Sequence, residues 1–170
     1  MHNVKGTEVH QRVNEALKLV RLEGMGKRPP NQLSGGQQQR VAIACVLAMQ
    51  PGIMVFDEPT SFLDPLGAQR IFEVINELNK KLDITVILVE HRLDLASKYA
   101  DHVIIMDEGK IALDGRPQDI FNSEKARLIG VGIPKATQLW QQLQTSGINL
   151  KGMPTSSEEA AHLLKEVLKA

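Results

Sequence analysis

"GIMVFDEP", residues 52–59, is an apolar run closed by two carboxylates and a proline. A run of this length and composition reads as a buried strand that carries acids on its C-terminal end. The design returns in "ITVILVEH", residues 84–91, which closes on Glu90 and His91. Between them, Ile71, Val74, Ile75, Leu78 and Leu82 keep helical spacing within the segment Pro65–Leu82. Continuous apolar strands joined by an amphipathic crossover helix predict a parallel sheet with both faces covered, which is α/β construction.

Working outward, "HVIIMDEGKIALDG" (102–115) is a third strand that doubles back through Glu108-Gly109, a hairpin signal with glycine available for positive φ. Beyond Gly115 the pattern turns helical: a short piece near Gln118–Phe121, one over Pro134–Thr145 with the only tryptophan, Trp140, and a last from about Ser157. Ser156 as N-cap, Glu158 and Glu159 in the first turn, and Lys165 and Lys169 near the end suit the helix dipole. Gly130, Gly132 and "LKGMPTSS" (150–157) act as breaks, so the chain after about residue 122 is expected to form a small appended subdomain. On the other side, Val9, Val13, Ala16, Leu17 and Val20 predict an amphipathic helix over Glu8–Leu22. "EGMGKRPPNQ" (23–32) breaks it. Ser34 and Gln37 then make a Ser-x-x-Gln capping box that opens a helix through about Met49.

The 170 residues hold 20 Lys plus Arg against 20 Asp plus Glu, so the net charge is zero and no overall electrostatic footprint for nucleic acid is present. The single cysteine, Cys45, lies in the apolar run "VAIACVLAM" and reads as a small core residue in a reducing compartment. That run covers 41–49 and is too short for a bilayer, which takes about 20 apolar residues. The N-terminus lacks the charge pattern of a secretory signal, so a soluble cytoplasmic protein is expected.

Chemistry gathers at four places. Gly35 and Gly36 let backbone N–H groups approach an anion at a helix N-terminus, with the Ser34 hydroxyl beside them; the same residues also make an ordinary capped helix start. Asp57 and Glu58 sit where open parallel sheets bind ligands, and paired acids there can divide labour between a metal ion and an attacking water, or can simply cap the following turn. His91 can present an imidazole to a phosphate or serve as a structural hydrogen bonder. Asp64, in "TSFLDP", is by itself an ordinary turn aspartate.

Together these pieces resemble the ATP-binding-cassette (ABC) ATPases, because order and spacing both agree. "LSGGQ" (33–37) is similar to the signature motif, "IMVFDEP" (53–59) to the Walker B strand with its glutamate, "SFLD" (61–64) to the D-loop, and His91 to the switch histidine. The stretch 88–121, with Glu-His-Arg at the switch, is most similar to the ATPases of energy-coupling-factor importers of vitamins and of cobalt or nickel. The resemblance implies a partial P-loop NTPase (RecA-like) parallel sheet. It divides the chain into a helical signature remnant (1–50), an ATPase core (51–122) and a C-terminal helical extension (123–170). It implies ATP and Mg²⁺ as cofactors, Glu58 as general base and His91 on the γ-phosphate. Asp57 would serve Mg²⁺, Leu33, Ser34, Gly35, Gly36 and Gln37 would face ATP held by a second ABC ATPase subunit, and Asp64 would link the two sites. It further implies a transmembrane importer component as partner, no nucleic acid, and a peripheral position on the inner face of the cell membrane.

The same pattern contains a Walker A loop, Gly-x-x-x-x-Gly-Lys-Ser/Thr, ahead of the signature, and no stretch here matches it. "GMGKR" (24–28) fails because Arg21 stands five before Gly26 and Arg28 follows Lys27; Gly109-Lys110 is followed by Ile111 inside the hairpin. The base-stacking aromatic and the glutamine-bearing loop that precede the signature are also unmatched. The sequence therefore reads as the C-terminal half to two-thirds of such an ATPase, with the chain expected to be inactive alone. The alternative is a non-catalytic protein that binds and regulates a complete ATPase. Since the Walker A strand lies between residues 84–90 and 102–107 in the family's sheet, we expect direct pairing of those two strands, an intermolecular substitute, or low stability.

Overall fold

A computed structural model describes residues 6–148 and 152–167. The chain divides into two compact units, residues 1–90 and 91–170.

The first unit opens with α1 (Gly6–Leu19). It stops three residues before the expected Leu22, because Arg21 turns left-handed at φ 60° and the Leu22 N–H reaches back to the Leu17 carbonyl at 2.8 Å. That six-to-one bond satisfies an end carbonyl that the helix itself leaves open. Ala16, Leu17, Val20 and Leu22 are buried, but Val9 and Val13 are exposed, so only the C-terminal part of the predicted apolar face is used. A 3₁₀ turn at Pro30–Gln32 leads to α2 (Gly35–Leu47). Its buried stripe is Ile43, Ala44 and Leu47, which turns Cys45 outward; the cysteine is exposed, not a core residue.

β1 (Ile53–Asp57) and β2 (Thr85–Val89) pair in parallel, Ile53 opposite Thr85 through Asp57 opposite Val89. The crossover is α3 (Pro65–Leu82), as its periodicity predicts. Asp64 caps it with Pro65 in the first turn, and Asp83 ends it in the left-handed region at φ 52°. Met54 and Phe56 meet Ile71, Val74, Ile75 and Leu78 of α3 in one core with α1 and α2. The sheet departs from expectation on its other face, where Val55 is 66% and Ile87 51% exposed. With two strands and helices on one side only, β1 buries alternate residues instead of all of them.

The second unit begins with α4 (Leu93–Tyr99), followed by β3 (Val103–Asp107) and β4 (Lys110–Gly115). The hairpin pairs Asp107 with Lys110, and Glu108 and Gly109 both have positive φ, 46° and 75°, as a type I′ turn requires. α5 (Pro117–Asn122), α6 (Glu124–Leu128), α7 (Lys135–Thr145) and α8 (Ser157–Val167) complete it. α6, which the apolar periodicity does not announce, is capped by the Ser123 hydroxyl accepting from the Ala126 N–H at 3.1 Å. Trp140 is fully buried and donates its indole N–H to the Gly152 carbonyl at 2.8 Å. Ser156 accepts from the Glu159 N–H at 3.2 Å, the predicted cap of α8. Lys169 and residues 150–151 lie outside the described residues.

Among the described residues the strands fall into two separate two-stranded sheets, β1–β2 and β3–β4. Direct pairing of 84–90 with 102–107, one of the three expected outcomes, is therefore not among the strand pairs of the described residues: β2 pairs along one edge with β1, and β3 along one edge with β4. No described helix is long and apolar enough to cross a membrane.

Candidate nucleotide-facing site

Ser34 sits at the N-cap of α2 in an extended conformation, and both arms of the capping box are formed. The Ser34 N–H donates to Gln37 Oε1 at 2.9 Å, and the Gln37 N–H donates to Ser34 Oγ at 3.4 Å. The turn before them is held from the helix side: Gln38 Nε2 donates to the Pro30 carbonyl at 3.0 Å and to the Leu33 carbonyl at 3.2 Å. Leu33 is buried, which anchors the motif to the core.

The two glycines differ. A Cβ on Gly35 would meet Leu63 Cδ2 at 3.6 Å, an ordinary contact, while a Cβ on Gly36 would meet nothing within 4 Å. Neither has the positive φ that would demand glycine on backbone grounds. What Gly36 leaves open is the space where a side chain would stand, at the positive end of a 13-residue helix; the residue itself is half-buried, and Gly35 is exposed. Arg40, one turn on, donates to the Gly36 carbonyl at 3.3 Å and to the Val20 carbonyl at 3.3 Å. Burial, then the Arg70 and Arg21 cations, hold its guanidinium below the ordinary arginine value.

Asp57 and Glu58 lie exposed at the C-terminal end of β1. Glu58 is left-handed at φ 44°, a conformation that costs a non-glycine residue about 1–2 kcal/mol. Several bonds hold it there. Its N–H donates to the Val89 carbonyl at 2.9 Å, its carboxylate accepts from the Ser61 hydroxyl at 2.8 Å, and the buried Thr60 hydroxyl lies 2.9 and 3.0 Å from the two Glu90 carboxylate oxygens. The sequence assigns Thr60 and Ser61 no role of their own; only the folded turn brings their hydroxyls onto Glu90 and Glu58. Phe62 is fully exposed, and Asp64 accepts from the Gly67 N–H at 2.6 Å as the cap of α3.

The structure thus brings Leu33–Gln37 to the 57–64 turn through the packing of Leu63 beside Gly35. His91 is exposed and is the first residue of the second unit, its carbonyl accepting from the Leu93 N–H at 3.0 Å. Among the described residues no group of three or more His, Cys, Asp or Glu is arranged to hold a metal ion. Asp57 alone fits only an ion that brings its other ligands with it, as Mg²⁺ does when it travels with phosphates. A groove of about 290 Å³ beside Arg12, Leu19, Leu47 and Ile84 lies by Pro51 and Ile84, at the opposite ends of β1 and β2 from Asp57 and Val89.

The family described as ABC transporter matches residues 1–61. The chain is 42% identical over 158 residues to the energy-coupling factor transporter ATP-binding protein EcfA1 of Clostridium novyi, covering 92% of this chain and 56% of that protein. It is 47% identical over 133 residues to EcfA of Methanocaldococcus jannaschii, covering 78% of this chain and 47% of that protein. Among solved structures it resembles cbiO1 of Clostridium perfringens, part of the ABC transporter complex cbiONQ, with a TM-score of 0.68 at 36% identity over 82% of this chain and 56% of that one. It also resembles the ADP conformation of MJ1267, an ATP-binding cassette of an ABC transporter, with a TM-score of 0.68 at 32% identity over 76% of this chain and 52% of that one. The chain spans about half the length of the curated relatives it matches.

Proposed function

Starting from the chain's membership of the ABC transporter ATPases, we propose that it supplies the signature, Walker B, D-loop and switch elements of an ATP-hydrolysing importer subunit. Residues 1–50 carry the signature, 51–122 the ATPase core and 123–170 a C-terminal extension. The observation that carries this reading is the open space where a Gly36 side chain would stand, at the capped N-terminus of α2. A structural glycine is expected to need positive φ or a close neighbour; this one needs neither, which fits a backbone kept open for an anion.

In this reading Ser34, Gly35 and Gly36 receive the γ-phosphate of ATP held by a second ABC ATPase subunit, with Leu33 and Gln37 shaping the turn. Of the site residues only Leu33–Gln37 face the other subunit's nucleotide; Asp57 would hold Mg²⁺, which would supply charge neutralisation, and Glu58 and His91 would act at ATP bound by a Walker A loop of their own subunit. Glu58 takes the proton of the water that attacks the γ-phosphorus, as the bond to the β–γ bridging oxygen breaks and ADP leaves. The Ser61 hydroxyl on the Glu58 carboxylate orients it and is the bond that must loosen when Glu58 turns to a water. His91 holds the γ-phosphate, and Asp64 ties the D-loop to the partner. Turnover drives a transmembrane importer component, with the ATPase peripheral on the cytoplasmic face.

The test is to mix the purified chain with a complete ABC ATPase subunit and follow Mg²⁺-dependent phosphate release against the chain alone. The expected result is no release from the chain alone, an added release in the mixture that Gly36→Asp abolishes, and, in a subunit where these residues are joined to a Walker A loop, turnover that Glu58→Gln abolishes. Turnover that Glu58→Gln leaves intact in that joined subunit would instead mark a non-catalytic regulator, and no effect of the chain on the complete subunit would overturn both readings.

A further inference from the structure

The left-handed turn that carries Glu58 is clasped to the end of β2 at two points, and the second involves two side chains to which the proposed chemistry gives no role. Thr60 is fully buried, yet its hydroxyl is aimed at the Glu90 carboxylate, 2.9 and 3.0 Å from the two oxygens. A buried hydroxyl needs a partner, and a charged acceptor makes that bond stronger than a neutral one. Two residues earlier, the Glu58 N–H donates to the Val89 carbonyl at 2.9 Å. The two bonds run from Val89, the last residue of β2, and from Glu90, which follows it, to the two ends of the Glu58–Thr60 turn. Pro59 lies between and fixes its own φ, so the turn has little freedom once both ends are held.

We propose that Thr60 and Glu90 are positioning residues for Glu58: their hydroxyl–carboxylate bond holds the strained φ of the glutamate and aims its carboxylate. The positional part stands on geometry alone; its catalytic consequence rests on the reading of Glu58 as base. Left to itself, a glutamate at φ 44° relaxes to the right-handed or extended regions, carrying its carboxylate to another direction. The Glu90 side chain stops this because its strand is fixed in register against β1, Asp57 opposite Val89.

The experiment is amide hydrogen exchange, read residue by residue on the full 170-residue chain and its Thr60→Val, Thr60→Ser and Glu90→Ala variants. Valine keeps the β-branched shape and removes only the hydroxyl. Thr60→Val and Glu90→Ala are expected to speed exchange at the Glu58 amide roughly tenfold or more, as loss of a bond to a charged acceptor implies, while α3 amides stay protected. Thr60→Ser is expected to restore the wild-type rate. Glu90→Ala, at a partly exposed strand end, gives the answer if Thr60→Val does not fold. Unchanged exchange at Glu58 in the folded variants would overturn the proposal. In a subunit where these residues are joined to a Walker A loop, Thr60→Val is expected to lower kcat without moving the KM for ATP, and Thr60→Ser to recover it. An unchanged kcat alongside altered exchange would overturn the catalytic consequence, whereas a wild-type joined subunit without turnover would overturn the proposed function and leave the clasp to be judged by exchange.

Discussion

Leu63 Cδ2 stands 3.6 Å from where a Cβ on Gly35 would project, so a side chain at the first signature glycine would pack on the chain's own turn, while one at Gly36 would meet nothing within 4 Å. The two positions of one motif therefore separate packing from ligand approach. Gly36→Ala is expected to leave the fold intact and to raise the urea midpoint slightly, since alanine in a helix is favoured over glycine by up to about 1 kcal/mol. The same variant is expected to lose the effect of the chain on a complete ATPase subunit. A variant that is both stable and active would remove the argument that Gly36 is kept bare for phosphate.

Ser34 has two duties, and stability can be read apart from binding. Ser34→Ala removes the oxygen that accepts from the Gln37 N–H and is expected to cost about 1 kcal/mol, measured as a lowered urea midpoint. Ser34→Asp keeps an N-cap acceptor and should recover that stability, yet it sets a negative charge where an anion is proposed to sit. Recovered stability with lost ATPase coupling is the expected pattern for Ser34→Asp; recovered coupling as well would count against a phosphate at this turn.

The parts of the fold that sequence reveals are those governed by neighbours along the chain. The Ser34/Gln37 capping box, the Glu108-Gly109 turn, α3 and the helix after Ser156 depend on residues within a few positions of one another. All were legible for that reason. What the sequence does not disclose depends on what covers a surface. The runs around Val55 and Ile87 have the composition of strands buried on both faces, and only the arrangement of helices shows one face open; Val9, Val13 and Cys45 are outward for the same reason. Likewise the Thr60–Glu90 bond joins residues 30 positions apart, and no periodicity announces it.

Acid should weaken both units through carboxylates held by cations. The Arg21 hydrogen bond, reinforced by Lys81, holds Glu77 below the ordinary glutamate value of 4.5, and the Lys98 hydrogen bond, at 2.5 Å, does the same for Glu158. Because both folded-state values are depressed, their contribution is present above about pH 4.5 and is lost as pH falls through the folded values. Both pairs are solvent-accessible, so each contributes at most about 0.2–1 kcal/mol and less in high salt. Glu77→Gln should thus lower the melting temperature slightly at pH 7 and hardly at all at pH 3. Equal losses at both pH values would show that packing of the side chain, not its charge, matters.

Trp140 offers a clean probe of the second unit because it is the only indole in the chain and is fully buried. Its N–H on the Gly152 carbonyl and the neighbouring Thr137 hydroxyl on the Pro154 carbonyl, both at 2.8 Å, tie α7 to the segment that leads into α8. Trp140→Phe removes one donor and leaves a smaller ring in the same place, so the lost bond and the space left behind act in the same direction. The expected cost is about 2–3 kcal/mol, combining an unsatisfied carbonyl with a modest cavity. It is checked by urea unfolding followed through far-ultraviolet circular dichroism and by amide exchange along α7. Thr137→Val, which removes only the second bond, should cost less and affect the same amides. If Trp140→Phe left α7 exchange unchanged, the link between α7 and the 152–155 segment would rest on other contacts than these two hydrogen bonds.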